Sequence, residues 1–141
     1  MTQHDVQADA AALLQLHREP QLLTVVNVWD VITAKVVTGI PGTKALATAS
    51  HAIAASRGYE DGENIPVAEM LDEVARIVAA THLPVTADLE AGYGDVGDTI
   101  RRAIAVGVSG ANIEDQMRPL AEAAAHVEAV LKAAAAEGVP D

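Results

Sequence analysis

The sequence predicts an α/β protein with a parallel sheet covered by helices. Three observations carry that prediction. Short apolar segments alternate with helix-periodic segments at the spacing of βα units. The first apolar segment, residues 22–28 (LLTVVNV), is continuous and β-branched, as expected of a strand buried on both faces. Polar or acidic residues follow each of four predicted strands, where parallel α/β folds place their working groups.

Taken in order, residues 8–18 read as a helix with Leu13, Leu14 and Leu16 on its apolar side, stopped by Glu19-Pro20. The strand at 22–28 ends in Trp29-Asp30, residues 31–38 fit a short helix, and Gly39-Ile40-Pro41-Gly42 is turn chemistry. Residues 44–48 (KALAT) take the next strand position by rhythm, and 51–56 form a helical turn. Residues 57–64 (RGYEDGEN) are polar and glycine-punctuated, hence a loop. Pro66 opens a helix over 67–80, with Met70, Leu71, Val74, Ile77 and Val78 at helical spacing. Pro84 opens the third strand, 84–88. A helix from Asp98 or Thr99 runs to about Val106, and 109–113 (SGANI) form the fourth strand, ending in Glu114-Asp115. Pro119 opens an Ala-rich helix through Ala136 with Gly138 as its cap, and residues 139–141 read as the start of another strand. Each strand-to-strand crossover is expected to be right-handed.

Composition bounds the function. The 141 residues suffice for one domain with a real core. A net charge of −11 argues against nucleic acid and against an anionic membrane surface. There is no cysteine, which removes disulfides, thiolate metal sites and a cysteine nucleophile. No apolar run approaches the length of a membrane span and the first residues are not a signal peptide, so a cytoplasmic protein is expected. Trp29, Tyr59 and Tyr93 are the only aromatics, too few for stacking on bases or sugars. The five histidines show no ligand spacing.

The chemistry centres on Val85-Thr86-Ala87-Asp88-Leu89-Glu90-Ala91-Gly92-Tyr93-Gly94. Alternation puts Thr86, Asp88 and Glu90 on one strand face. Two carboxylates brought together at a strand end favour a hard divalent cation with oxygen ligands. The competing reading makes Asp88 and Glu90 solvated loop charges and Asp95 or Asp98 a helix cap. The other strand ends favour a site: Asn27, Trp29 and Asp30; Thr48 and Ser50; Asn112 and Glu114 all fall on the same rim. Gly92-Tyr93-Gly94 lacks the spacing and lysine of a phosphate loop, and its glycines suit a tight turn. A receiver-type signalling module needs an acidic pair after its first strand, where only Asp30 stands.

Asn27-Val28-Trp29-Asp30, Ala47-Thr48-Ala49-Ser50, Gly58-Tyr59-Glu60-Asp61-Gly62, Asp88 through Gly94 and Asn112-Ile113-Glu114-Asp115 occur in order over nearly the whole chain. In these motifs the sequence resembles the isocitrate lyase/phosphoenolpyruvate mutase superfamily. The resemblance implies that residues 1–141 are a single partial domain of about four βα units, the first half of a TIM-type (β/α)8 barrel. It implies Mg²⁺, with Mn²⁺ as a substitute, at the C-terminal rim. Asp88 matches the principal metal-binding aspartate, and Glu90 and Glu114 match carboxylates that hold metal-bound waters. Trp29, Thr48, Ala49, Ser50 and Asp88 are the implied substrate contacts, with the 48–50 segment gripping a substrate carboxylate. Asp61, on a mobile gating loop, and Asp30 are the implied catalytic residues. The implied substrate is a small α-oxo or α-hydroxy carboxylate whose C–C or P–C bond is broken or moved through an enolate.

The sequence departs from that family in three places. Where the family's C–C lyases carry lysine-x-cysteine-glycine-histidine, this chain has Gln116-Met117-Arg118-Pro119, which favours a mutase-, hydrolase- or decarboxylase-like activity. Position 49 is alanine where many members have serine. An eight-stranded barrel takes about 250 residues. A half barrel leaves two sheet edges unpaired and an apolar inner face bare. The expectation is therefore a truncated product, inactive but able to bind metal or a small acid, or a chain that pairs with a second copy as a homo-oligomer.

Overall fold

The structure, a computed structural model, describes residues 4–139. Its elements are α1 (Val6–Arg18), β1 (Val26–Val28), α2 (Val31–Thr38), β2 (Leu46–Thr48), α3 (Ser50–Ser56), α4 (Val67–Ala79), β3 (Val85–Asp88), α5 (Val96–Ala105), β4 (Gly110–Asn112) and α6 (Leu120–Ala136). The strands form one sheet in the order β1-β2-β3-β4, and every pairing is parallel. The rhythm of the sequence thus gives the topology directly, because a helix between consecutive strands is what a parallel pairing needs.

Register sorts the strand residues onto two faces. Val28 lies beside Thr48, Leu46 beside Val85, and Ala87 beside Ala111. Val28, Leu46, Val85 and Ala87 are buried in one core with Met70, Leu71, Val74, Ile77 and Val78 of α4 and Ile100 and Ala103 of α5. The other face carries Asn27, Ala47, Thr86, Asp88, Gly110 and Asn112. The bare inner face is therefore small and polar, not apolar as expected. The α1 helix lies over part of it: a Cβ on Gly110 would stand 2.6 Å from Leu13 Cδ2 and 3.3 Å from Thr86 Cβ. The lack of a side chain at Gly110 is what lets the helix come so close.

Three other expectations are corrected. The first strand covers Val26–Val28, not 22–28, and only Val28 of the three is buried. It is an edge strand, paired with β2 alone, so its periphery stays in solvent. The helix expected from Asp98 or Thr99 begins at Val96, because Asp95 caps it by accepting the Asp98 N–H at 2.9 Å. The α4 helix starts as expected, with Pro66 at its cap. Of the strand expected at 139–141, Val139 is buried outside any strand, and Pro140 and Asp141 lie outside the described residues.

Candidate active site

The rim is assembled at the junction of β2, β3 and β4. Asp88 is the last residue of β3, and its Oδ2 accepts two hydrogen bonds from Ser50, from the backbone N–H at 3.0 Å and from Oγ at 2.7 Å. Its own N–H donates to Thr48 Oγ1 at 2.9 Å. Parallel pairing produces this arrangement. The tip of β2 runs straight into α3, so the first residue of that helix lands beside the tip of β3. Charge-assisted bonds of this kind fix a carboxylate's orientation before any ligand arrives. Ser50 is buried, and Ala49 donates its N–H to Val28 O at 3.2 Å. The donors of the 48–50 segment that were expected to grip a substrate carboxylate thus hold Asp88 and the β1 backbone.

Glu90 departs from its expected place. The strand ends at Asp88, and Glu90 enters a left-handed turn with φ 49°. Leu89 is tied to β4 through its N–H on Asn112 O, and its carbonyl accepts from Gly92 N, so the chain must turn there. Glu90 is only 6% exposed. Burial raises its pKa, against the opposing hydrogen bonds from the Tyr93 hydroxyl and the Glu63 backbone amide. Asp61 and Glu63 raise it further by charge repulsion. The Tyr93 hydroxyl donates to Glu90 Oε1 at 3.2 Å and is held well above the usual phenol range, by burial first and then by Glu90, so it stays a donor.

Glu114 is joined to this turn through its backbone, its N–H donating to Glu90 O at 2.7 Å, while its residue is exposed. Asp61 is exposed in the 57–64 loop, its carbonyl accepting from Asn64 Nδ2 at 2.7 Å. Asp30 caps α2: Oδ1 accepts from Thr33 N at 2.7 Å and Thr33 Oγ1 at 2.8 Å. Those bonds, the backbone one first, lower its pKa, so Asp30 is a weak base in this setting. Trp29 is exposed beside it at the end of β1, its N–H on Thr33 Oγ1.

Two residues of the rim escape sequence reading. Glu63 Oε1 accepts the backbone N–H of Ala91 at 3.1 Å and of Tyr93 at 2.7 Å, across some thirty positions of chain. Nothing local separates Glu63 from its neighbour Glu60. Tyr93 lies in a visible motif, but its partnership with Glu90 depends on the left-handed turn.

The donor set can be tested against a hard cation. Among the described residues, no ion pair engages Asp61, Glu63, Asp88, Glu90 or Glu114. Asp88, Glu90 and Glu63 all act electrostatically on Tyr93, so three acids share one neighbourhood without a paired Lys or Arg. Oxygen donors with unbalanced negative charge fit Mg²⁺. Among the described residues, no three His, Cys, Asp or Glu side chains are gathered closely enough to hold a metal alone. These donors would fit such an ion only with waters completing its coordination.

Comparison with known proteins bears on this geometry. The family profile described as phosphoenolpyruvate phosphomutase matches residues 13–141. The 2-methylisocitrate lyase of Halalkalibacterium halodurans is 33% identical over 108 residues, covering 74% of this chain and 36% of that protein. The oxaloacetate decarboxylase of Bradyrhizobium sp. is 30% identical over 116 residues, covering 80% of this chain and 39% of that protein. The crystal structure of a proposed phosphonomutase from Burkholderia cenocepacia J2315 superimposes with a TM-score of 0.88 at 44% identity, covering 95% of this chain and 57% of the other. The chain thus spans about a third to a little over half of these three proteins. Its four strands are half of a TIM-type (β/α)8 barrel.

Proposed function

Because this chain belongs to the phosphoenolpyruvate phosphomutase family, we propose for it a Mg²⁺-dependent, phosphonomutase- or lyase-like activity. The substrate is a small α-oxo or α-hydroxy carboxylate, and the bond broken or moved is the C–C or P–C bond beside its oxygenated carbon. The observation that carries this reading is the pinning of Asp88 by Ser50 and Thr48 at the joint tips of two parallel strands.

When bound, Mg²⁺ or Mn²⁺ supplies positive charge to the enolate that forms as the bond breaks. The chain's own residues do the rest. Asp88 would hold the ion, and Ser50 keeps that carboxylate aimed. Glu90 and Glu114 would accept from waters on the ion. Trp29, with Thr48 to Ser50, walls the substrate, and the Asp61 loop excludes water from it. Asp30 acts by holding the start of α2 through Thr33, whose hydroxyl takes the Trp29 N–H. Gln116-Met117-Arg118-Pro119 offers no acid like that of the C–C lyases: Gln116 and Met117 form a left-handed turn, and Arg118 is bonded to His126 Nδ1. That favours mutase, hydrolase or decarboxylase chemistry. A cytoplasmic setting goes with this reading; no helix among the described residues is long and apolar enough to cross a membrane.

Calorimetric titration tests the site. Mg²⁺ or Mn²⁺ is expected to bind the wild-type chain and to bind Asp88→Ala at least tenfold more weakly, as expected for the loss of a charged ligand. Equal binding by the two proteins removes the site. A second reading, a chain that binds metal or a small acid without turnover, is supported by the chain's spanning only part of the length of its relatives. Mg²⁺ affinity without action on phosphonopyruvate, oxaloacetate or methylisocitrate selects it.

A further inference from the structure

We propose that Glu63 is a latch that seats the 57–64 loop on the turn after β3 and thereby sets where Asp61 stands at the rim. The consequence for Asp61 rests on the functional reading above; the latch itself rests on geometry. One oxygen, Glu63 Oε1, takes two backbone amides, from Ala91 and Tyr93. The two amides flank Gly92, whose φ of 95° turns the chain and whose own N–H donates to Leu89 O, so the N–H groups on either side of it meet one oxygen. The loop's other end is fixed elsewhere, on α4: Arg57 pairs with Glu73, and the Tyr59 hydroxyl donates to Glu69 Oε1 at 2.9 Å.

Between Tyr59 and Glu63 lies Gly62, with φ 90°. A Cβ there would only just reach Asn64 Nδ2 at 4.0 Å, so this glycine has room to pivot. Asn64 Nδ2 on Asp61 O ties the tip into a unit, so that Asp61 follows Glu63. Glu63 itself holds φ 62°, a conformation a side-chain-bearing residue adopts only where its surroundings impose it. The loop thus has a fixed stem, one pivot and one carboxylate clasp on the turn that also carries Glu90.

Amide hydrogen exchange, followed by NMR on the metal-free chain, tests the clasp. In Glu63→Ala the Ala91 and Tyr93 amides are expected to exchange about tenfold faster or more, the scale of a lost bond to a charged acceptor. The Thr86 and Ala87 amides of β3 are expected to hold their rates. Glu63→Gln, which keeps an acceptor oxygen at the same reach, restores most of the protection; Glu63→Asp, a methylene shorter, does not. Unchanged protection at Ala91 and Tyr93 in Glu63→Ala overturns the proposal. So does a Gln variant no better than Ala, or a loss spread evenly over β3. The measurement needs neither metal nor substrate, so its failure removes the latch alone. Equal Mg²⁺ binding by wild type and Asp88→Ala removes the site and leaves the latch standing.

Discussion

At Gly92 the backbone has φ 95°, and a Cβ there would stand 2.6 Å from Val96 Cγ2 and 2.8 Å from Val96 Cα. The obstacle includes the first residue of α5, which cannot move without unseating the helix. Gly94, with φ 87°, has nothing within 4 Å of its Cβ position. Gly94→Ala is therefore expected to cost about 1 kcal/mol, from backbone strain alone. Gly92→Ala should cost about 2–4 kcal/mol, because strain and overlap add. Urea denaturation of the two variants checks this, and equal losses would show that the Val96 contact does not constrain the turn. Ser50→Ala tests the neighbouring junction: removing the 2.7 Å bond to Asp88 is expected to cost about 1–2 kcal/mol in the same assay and to weaken Mg²⁺ binding. Legibility at this scale divides by reach. Asp88 and the glycines of its turn were visible because their spacing is local. The bonds from Ser50 and Glu63 span 38 and about 30 positions, and no periodicity reports which distant carboxylate a hydroxyl or amide will meet.

The α1 helix shows how one side chain docks an element. His4, just ahead of it, points Nε2 at the carbonyls of Val78 and Thr81, both at 3.1 Å, and Nδ1 at the Asp9 carboxylate. Acceptors at both nitrogens call for two N–H donors, that is, the imidazolium. Burial opposes that charge, but the Asp9 bond, the Thr81 and Val78 carbonyls and the Asp9 charge outweigh it and raise the pKa above 6.5. A raised folded-state pKa stabilises fully below the unfolded value of 6.5 and is lost as pH climbs through the folded value. Thermal stability is thus expected to fall as pH rises above 6.5, and His4→Gln should flatten that slope. A wild-type slope no steeper than the variant's would show that His4 docks neutral. The helices were legible as elements because their apolar spacing is strong, α4 and α5 most of all. The start of α5 was misplaced because Asp95 and Asp98 are equally plausible caps on paper, and only the turn at Gly92 and Gly94 decides between them. The first strand was overextended because LLTVVNV records apolarity, whereas burial depends on what lies beside the strand.

At the scale of the whole molecule the sheet ends matter most. Both edges, β1 and β4, are open, and the large exposed apolar side chains gather beside them: Ile32 and Val36 on α2, Leu120, Val127 and Leu131 on α6. Ile32 is 73% exposed and Leu120 86%, so these faces leave large apolar side chains in water. All four strands run the same way, so a second copy can set its β1 beside the first copy's β4, and its β4 beside the first copy's β1, without reversing any strand. Eight parallel strands would then close, leaving no edge to pair with anything else. A net charge of −11 on each copy opposes the approach, and salt screens that repulsion within a few ångströms at high ionic strength. The 141-residue chain by itself is therefore expected to self-associate with rising concentration, and more strongly as salt is added. Both trends are read by sedimentation velocity. Replacing Leu120 and Leu131 with lysine should abolish them while leaving the buried core of β2, β3 and α4 untouched. A sedimentation coefficient of the monomer, constant in both concentration and salt, would mean that these apolar faces do not drive association and that the inner rim stays half-walled in the isolated chain.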